Sequence, residues 1–277
     1  MSEEVKLKIY PSSSGFVTEN GLEIDYNSAC PRYMVASIGS TRVELDPIYA
    51  ELGALHEEWW TKKLGVRLIA REKEIKVELS DTVRYSGRAD FIVEGPEVHE
   101  TKASMSKTFL YQNIRKRKPK LSHLAQLVSY MIQLKIPKGQ IIAGFYKEKE
   151  SRLVLQEHVE FKVDIDDEGR ILVDGVATPY TVAHQLAHLH MAQQALETQE
   201  LGDRRPLNYE AWTGPCKMCP LNNLCWAKDQ SPITDKEFKD QAKELINAQQ
   251  PRIRKNSKAN SGSNGKVGAK VEDDGAL

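Results

Sequence analysis

The sequence predicts an α/β protein in which a central mixed β-sheet is flanked by helices. Helical and strand-like patterns alternate along the chain, in the order helices, strand meander, helix, strands, helix. Of the 277 residues, 40% are hydrophobic, which suffices for one sizeable core. We therefore expect a single domain over residues 1–230, a C-terminal helix over 231–249 and a disordered tail over 250–277.

The first half of the chain contains the strand meander. Residues 21–38 are predicted to form a short helix that carries Cys30. Asp46-Pro47 predicts the start of a stronger helix that runs to Leu64, because proline favours the first helical turn. Alternation of apolar and charged residues then predicts strands at Ile75–Leu79, Val83–Val93 and Val98–Ala103. Gly95-Pro96 supplies the turn between the last two strands.

The second half begins with a helix predicted over Leu121–Leu134, whose apolar residues recur on one face. Further elements follow as strands at Gln140–Lys147 and Leu153–Val163, a long helix at Pro179–Leu201, and a polar helix at Thr234–Ala248. Beyond Gln249 the chain is poor in apolar residues and rich in Ser, Gly, Asn and Lys, a composition typical of disorder.

Composition excludes several classes of protein. Lysine plus arginine and aspartate plus glutamate both total 39, so net charge does not indicate a nucleic-acid partner. We find neither a long apolar run nor a basic and apolar leader, so the sequence predicts a cytoplasmic protein without a membrane span.

Asp90 and the triplet Glu100-Thr101-Lys102 lie on two successive predicted strands. Residues two apart on a strand point to one face, so Glu100 and Lys102 project together and the hairpin can bring Asp90 beside them. Two facing carboxylates require a cation, and oxygen ligands suit Mg²⁺ or Mn²⁺. A neighbouring lysine can orient the attacking water, so this set predicts phosphodiester hydrolysis. As an alternative, these charges belong to a solvent-facing strand.

With these residues the chain resembles the PD-(D/E)XK nuclease superfamily, and specifically its RecB-like branch. Gly53-Ala54-Leu55-His56 is similar to the glycine-x-x-histidine element of that branch, and Gln126-Leu127-Val128-Ser129-Tyr130 to its glutamine-x-x-x-tyrosine motif. Ala89 departs from the proline that usually precedes the aspartate. The resemblance implies a restriction-endonuclease-like core, and it implies that His56 is an additional metal ligand.

Four cysteines complete the pattern: Cys30 stands alone, and Cys216, Cys219 and Cys225 are clustered in sequence. Four thiolates can hold zinc or a [4Fe-4S] cluster, and four unrelated buried thiols are the alternative. In iron-sulfur nucleases of the RecB-like branch, including CRISPR-adaptation and AddB-type nucleases, one cysteine precedes the nuclease motifs and three follow. The resemblance therefore implies a structural [4Fe-4S] cluster that staples the C-terminal region to the domain.

The resemblance further implies the mechanism and the partners. His56, Asp90, Glu100 and the Thr101 carbonyl would hold Mg²⁺ or Mn²⁺, Lys102 would position water, and Gln126 and Tyr130 would support the lysine or the DNA. The expected reaction is exonucleolytic cleavage of single-stranded DNA or DNA ends, with a helicase or a recombination or adaptation protein as a possible partner. The alternatives are an accessory module that binds DNA ends and a zinc-stapled structural protein.

Two further segments have less specific patterns. The basic run Ile114–Lys120 can neutralise phosphates, and Phe109 and Tyr111 beside it can stack on unpaired bases; a solvated loop is the alternative. The histidines of the long helix lack the zinc-protease pattern, so we assign them to a polar helix face.

Overall fold

The protein has an eight-stranded mixed sheet with helices on both faces. The computed structural model describes residues 6–40, 47–201, 214–226 and 234–248. The strands are β1 Leu7–Ile9, β2 Phe16–Thr18, β3 Gly21–Glu23, β4 Leu68–Glu78, β5 Val83–Val93, β6 Glu97–Ser104, β7 Lys138–Lys149, β8 Arg152–Ile165, β9 Arg170–Val173 and β10 Val176–Thr181. The helices are α1 Pro31–Ala36, α2 Pro47–Leu64, α3 Lys107–Phe109, α4 Leu121–Leu134, α5 Val182–Thr198, α6 Asn222–Trp226 and α7 Asp235–Ala248. The predicted class, a central mixed sheet flanked by helices, is confirmed.

The main sheet has the order β1-β5-β6-β7-β8-β9-β10, with β4 paired to β5, while β2 and β3 form a separate hairpin. The pairs β1–β5 and β6–β7 are parallel, and the other pairs are antiparallel. A parallel pair requires a crossover, and α4 lies in the connection from β6 to β7. This crossover places α4 over the strand that carries Glu100 and Lys102.

Helix α4 covers one face of the sheet because its apolar residues recur at helical spacing. Leu124, Leu127, Val128 and Met131 are all buried in the main core. Gly139 at the start of β7 permits close approach, since a Cβ there would lie 3.1 Å from Leu127. The helix is therefore held tightly against the centre of the sheet.

Helix α2 covers the opposite face with residues spaced four apart. Leu52, His56, Trp60 and Leu64 are its buried side chains. Trp60 and Leu64 pack in a second cluster with Phe91 of β5, among others. The central strands are thus covered on both sides.

Two predicted helices begin later than the patterns indicated. Residues 21–38 form β3, a 3-10 turn at Asn27–Ala29 and then α1, which opens at Pro31. Cys30 is the cap of α1, because a residue before proline disfavours helical geometry. Pro179 belongs to β10, and α5 begins at Val182, capped by the Thr181 hydroxyl. The β9–β10 hairpin was not predicted from the sequence.

The basic run also differs from a simple loop, since a π-helical segment at Leu110–Arg115 extends α3 into it. The predicted tail at 250–277 lies outside the described residues. None of the described helices combines the length and apolar character that crossing a membrane requires.

Candidate active site

Asp90 lies on β5 at the point where the neighbouring strand along one edge changes from β1 to β6. β1 pairs with β5 from Val83 to Tyr85, and β6 pairs with the same strand from Phe91 to Val93. Asp90 falls in the interval between these two ladders. Strands β5 and β6 diverge there, so the sheet has a gap that opens next to the carboxylate.

The Asp90 carboxylate crosses this gap to β6. Its Oδ2 accepts hydrogen bonds from the backbone N–H and the hydroxyl of Thr101, both at 2.8 Å. In a strand, the N–H and C=O of one residue point to the same edge, so the Thr101 carbonyl is directed toward the gap as well. Asp90 thereby replaces the ladder bond that the divergence of the strands removes.

Glu100 and Lys102 extend from β6 on the face covered by α4, as their spacing predicted. Glu100 is only 1% exposed, and Lys102 Nζ donates a hydrogen bond to its Oε1. The lysine side chain keeps 24% of its surface exposed. This pair therefore connects a buried carboxylate to the protein surface.

Burial and the charge of Asp90 raise the pKa of Glu100 to about 8, although Lys102 opposes the shift. Burial tends to lower the pKa of Lys102, but the charges of Glu100 and Asp90 outweigh this and raise it overall. The lysine is thus held in its charged form. A carboxylate with such a raised pKa marks a place where an additional cation would be stabilising.

Gln126 and Tyr130 extend from α4 toward this pair. Gln126 Nε2 donates to the Tyr130 hydroxyl at 3.3 Å, as the i,i+4 spacing allows. Burial and the charge of Glu100 raise the pKa of Tyr130, so the phenol stays protonated and can donate a hydrogen bond. Both residues thus belong to the surroundings of Glu100.

His123 is a further member of this group that the sequence reading missed. Burial and the charges of Lys102 and Lys120 lower its pKa well below the ordinary value. It lies three residues before Gln126, and this i,i+3 spacing on the same helix face could have indicated it.

His56 does not extend into this group. Its Nδ1 bonds the Tyr146 hydroxyl at 3.0 Å and its Nε2 bonds the Ile142 carbonyl at 3.1 Å. The ring is fully buried, and burial lowers its pKa to about 4. Both ring nitrogens thus bond other groups. The structure does not bring His56 together with Asp90 and Glu100, the ligand set that was expected.

Across the described ranges, no three His, Cys, Asp or Glu side chains are placed to hold a metal ion together. The carboxylates nevertheless provide suitable chemistry for one. Among the described residues, Glu100 Oε2 is buried without a hydrogen-bond partner. An unpaired buried oxygen lowers the stability of the fold unless a ligand satisfies it. Hard oxygen donors suit Mg²⁺ or Mn²⁺, so Glu100 and Asp90 fit a divalent cation.

All four cysteines line one cavity between the start of α1 and the C-terminal segment. No disulfide joins them, and in the described part of the chain they are not placed to hold a metal ion together. The expected iron-sulfur staple is therefore not shown. Several donors nonetheless point to sulfur: the backbone of Tyr33 to Cys30, and the Asn27 side chain to Cys219.

The basic run is partly neutralised by the neighbouring strands. Arg115 pairs with Glu157 at 2.8 Å, and Arg117 pairs with Asp174 at 3.0 Å. Tyr111 is 55% exposed, with Lys116 Nζ 4.8 Å from its ring centroid. Of the α5 histidines, His188 is buried and bonds the Ala29 carbonyl, so it does not lie on a polar face.

Comparison with known proteins gives structural likenesses at low sequence identity. Neither a protein-family model nor a curated protein matches the chain. The solved structure of SSO0001 is similar with a TM-score of 0.44 and 19% identity over 82% of this chain and 90% of that one. An alkaline exonuclease from Laribacter hongkongensis gives a TM-score of 0.48 and 12% identity over 69% and 89%. A phage-related exonuclease from Haemophilus somnus 129PT gives 0.47 and 13% over 70% and 95%.

Proposed function

We propose that the protein is a metal-dependent DNA nuclease that hydrolyses phosphodiester bonds, with Asp90, Glu100 and Lys102 at its active site. The observation that carries the proposal is the buried, unpartnered Oε2 of Glu100, whose other oxygen accepts a hydrogen bond from Lys102 and whose pKa the charge of Asp90 helps to raise. A buried carboxylate oxygen without a partner destabilises the folded state, so this arrangement indicates a site for a ligand.

Asp90, Glu100 and the Thr101 carbonyl would hold Mg²⁺ or Mn²⁺. When bound, the ion supplies Lewis acidity and a lowered pKa for water. Thr101 fixes the orientation of Asp90 through its two hydrogen bonds. His56 has a positioning role in this proposal, because its ring joins α2 to β7.

Lys102 has the two properties that a phosphate-activating lysine needs. It is charged, because Glu100 and Asp90 raise its pKa, and its side chain reaches solvent. It would orient the attacking water and offset negative charge on the phosphate. Gln126 and Tyr130 would keep the lysine and Glu100 in place through polar contacts from α4.

Beyond the reaction type, we propose a PD-(D/E)XK exonuclease of the RecB-like branch that acts on single-stranded DNA or on DNA ends. Residues 1–230 would form its nuclease domain, and it would act in the cytoplasm, with a helicase or a recombination or adaptation protein as a possible partner. The likeness of its motifs to that branch supports this assignment.

The four cysteines would bind a structural [4Fe-4S] cluster, with zinc as the alternative. Their common cavity and the N–H donors directed at Cys30 and Cys219 support a site for thiolates. Absorbance at about 400 nm together with iron in the purified protein would distinguish the cluster from zinc.

End-labelled single- and double-stranded DNA with Mn²⁺ provides the test of nuclease activity. Wild type should degrade the label, whereas Asp90→Ala and Lys102→Ala should lose about 10²-fold or more in rate. Lys138→Ala is the matched control, since this exposed lysine opens β7 away from the site. Equal rates for all variants would refute the site, and DNA binding without cleavage by wild type would favour the accessory end-binding module.

A further inference from the structure

Three side chains beside the catalytic lysine have no role in the proposed hydrolysis. They are Tyr26, Lys120 and His123, and we refer to them as the rim. Tyr26 precedes the 3-10 turn at Asn27–Ala29, Lys120 is the residue directly before α4, and His123 lies in the first turn of that helix. Chain segments far apart in sequence thus meet at one end of the site.

The segment that carries Tyr26 is fixed to α4 by its neighbour. Asp25 Oδ2 accepts a hydrogen bond from the Ser122 backbone N–H at 2.8 Å, although the two residues are 97 positions apart. This bond satisfies one of the free N–H groups at the helix start. Tyr26 is therefore held at a defined position relative to α4.

Tyr26 presents an aromatic ring together with a cation. The ring is 46% exposed, and Lys120 Nζ lies 3.6 Å from its centroid while donating to its hydroxyl. Within the described ranges, Lys120 has no carboxylate at ion-pairing distance. No acid among these residues neutralises its charge, so the charge can attract an anion.

His123 lies near both Lys120 and the catalytic Lys102. Its pKa responds to both Lys102 and Lys120, so the ring lies near both charges. Its imidazole faces Phe109 at 6.2 Å between centroids, and neither ring nitrogen has a hydrogen-bond partner among the described residues. A neutral imidazole has one N–H, which is available here for a phosphate oxygen.

Tyr26 also lies near Lys102, since the two groups interact electrostatically. A path therefore leads from the exposed Tyr26 ring, past Lys120 and His123, to Lys102.

We propose that the rim binds the nucleotide adjoining the scissile phosphate of an unpaired DNA strand. Lys120 and His123 hold its phosphate, and its base stacks on Tyr26. This inference rests on the proposed nuclease function and specifies the substrate class. A base within a duplex has its faces covered by neighbouring pairs, so the Tyr26 ring selects for unpaired nucleotides.

Stacking can be tested by placing a single abasic nucleotide at successive positions from the cleaved end of a single-stranded oligonucleotide. At one position wild type should lose about 10-fold in kcat/KM, and Tyr26→Ala should lose about the same on the intact strand. The two changes should not add, because each removes the same contact. Tyr26→Phe should restore the wild-type value, and Tyr49→Ala, an exposed tyrosine on α2, is the control.

Binding measured by fluorescence anisotropy in EDTA keeps the test independent of cleavage. Tyr26→Ala and Lys120→Met should each weaken binding of a labelled single strand about 10-fold, and Lys120→Met should reduce its dependence on salt. Unchanged affinity in both variants, or an abasic effect equal in wild type and Tyr26→Ala, would overturn the rim proposal. If no DNA is cleaved by wild type but the binding losses appear, the nuclease proposal fails, and the rim is then a binding site for an unpaired strand without a scissile phosphate.

Discussion

The Asp90 carboxylate and Thr101 are joined by two hydrogen bonds across the gap between β5 and β6, one from the backbone and one from the hydroxyl. Ordinary strand pairing would have used the Thr101 N–H within the ladder. Here the acid takes that bond and is fixed beside Glu100. The divergence of two strands thus brings the two carboxylates together.

Thr101→Val provides a test of this fixation. The substitution keeps the shape and the backbone bond but removes a hydroxyl donor to a charged acceptor, so the free energy of unfolding should fall by about 1–3 kcal/mol. Urea denaturation measures the loss. Mn²⁺ affinity, followed by calorimetry, should fall as well, because Asp90 loses one of its two restraints. Thr61→Val, whose hydroxyl bonds a helix carbonyl on α2, is the control for affinity.

The stability of the metal-free protein should depend on pH through Glu100. Its pKa is raised from 4.5 to about 8 in the folded protein, so the folded state binds this proton more tightly than the unfolded state. The stabilisation is fully present below pH 4.5 and is lost as the pH rises toward 8. In EDTA, the melting temperature of wild type should fall relative to that of Glu100→Gln as the pH rises over this range. Adding Mg²⁺ should stabilise wild type more at pH 8 than at pH 5.5, and an equal gain at both would contradict the prediction.

His56→Ala distinguishes a positioning histidine from a metal ligand. Both ring nitrogens are bonded and the ring is buried, so the variant should lose about 2–4 kcal/mol of stability through the cavity and the unpaired Ile142 carbonyl. Mn²⁺ affinity of the folded variant should stay within about twofold of wild type, because ligand loss would cost far more. Tyr146→Phe, which removes one partner of the ring, should lower stability in the same direction. A large loss of Mn²⁺ affinity in His56→Ala would show that His56 is a metal ligand.

Cys219→Ser should disturb the rim without contacting DNA. Asn27 bonds this sulfur, and Asn27 directly follows Tyr26. If the cysteines hold a cluster, the variant should lose the absorbance at about 400 nm, melt at lower temperature and bind single-stranded DNA less tightly. Met218→Ala is a matched control from the same segment, since Met218 is 81% exposed. Unchanged colour and melting temperature in Cys219→Ser would argue against a bound cluster.

Local patterns predicted most of the regular elements. Helix α4 and strand β5 have the predicted bounds, because each has a strong periodicity over more than ten residues. Strands β1 to β3 were not predicted, since each has three residues and is too short to show a period. The β9–β10 hairpin was not predicted either. Pro31 opens α1 and does not lie inside the helix predicted over residues 21–38, because proline lacks the N–H that a helix interior needs. Pro179 was predicted to open the long helix, but it lies in β10.

The sequence by itself determined which residues could form a site: two carboxylates, a lysine two residues from one of them, and a glutamine and a tyrosine on one helix face. Strand and helix periodicity fix such relationships within an element. Only the tertiary structure decided that Asp90 reaches Thr101, that His56 bonds Tyr146 and Ile142, and that His123 and Tyr26 lie beside Lys102. These relationships depend on where strands diverge and how a helix is rotated against the sheet, which packing over the whole core sets and no local pattern records.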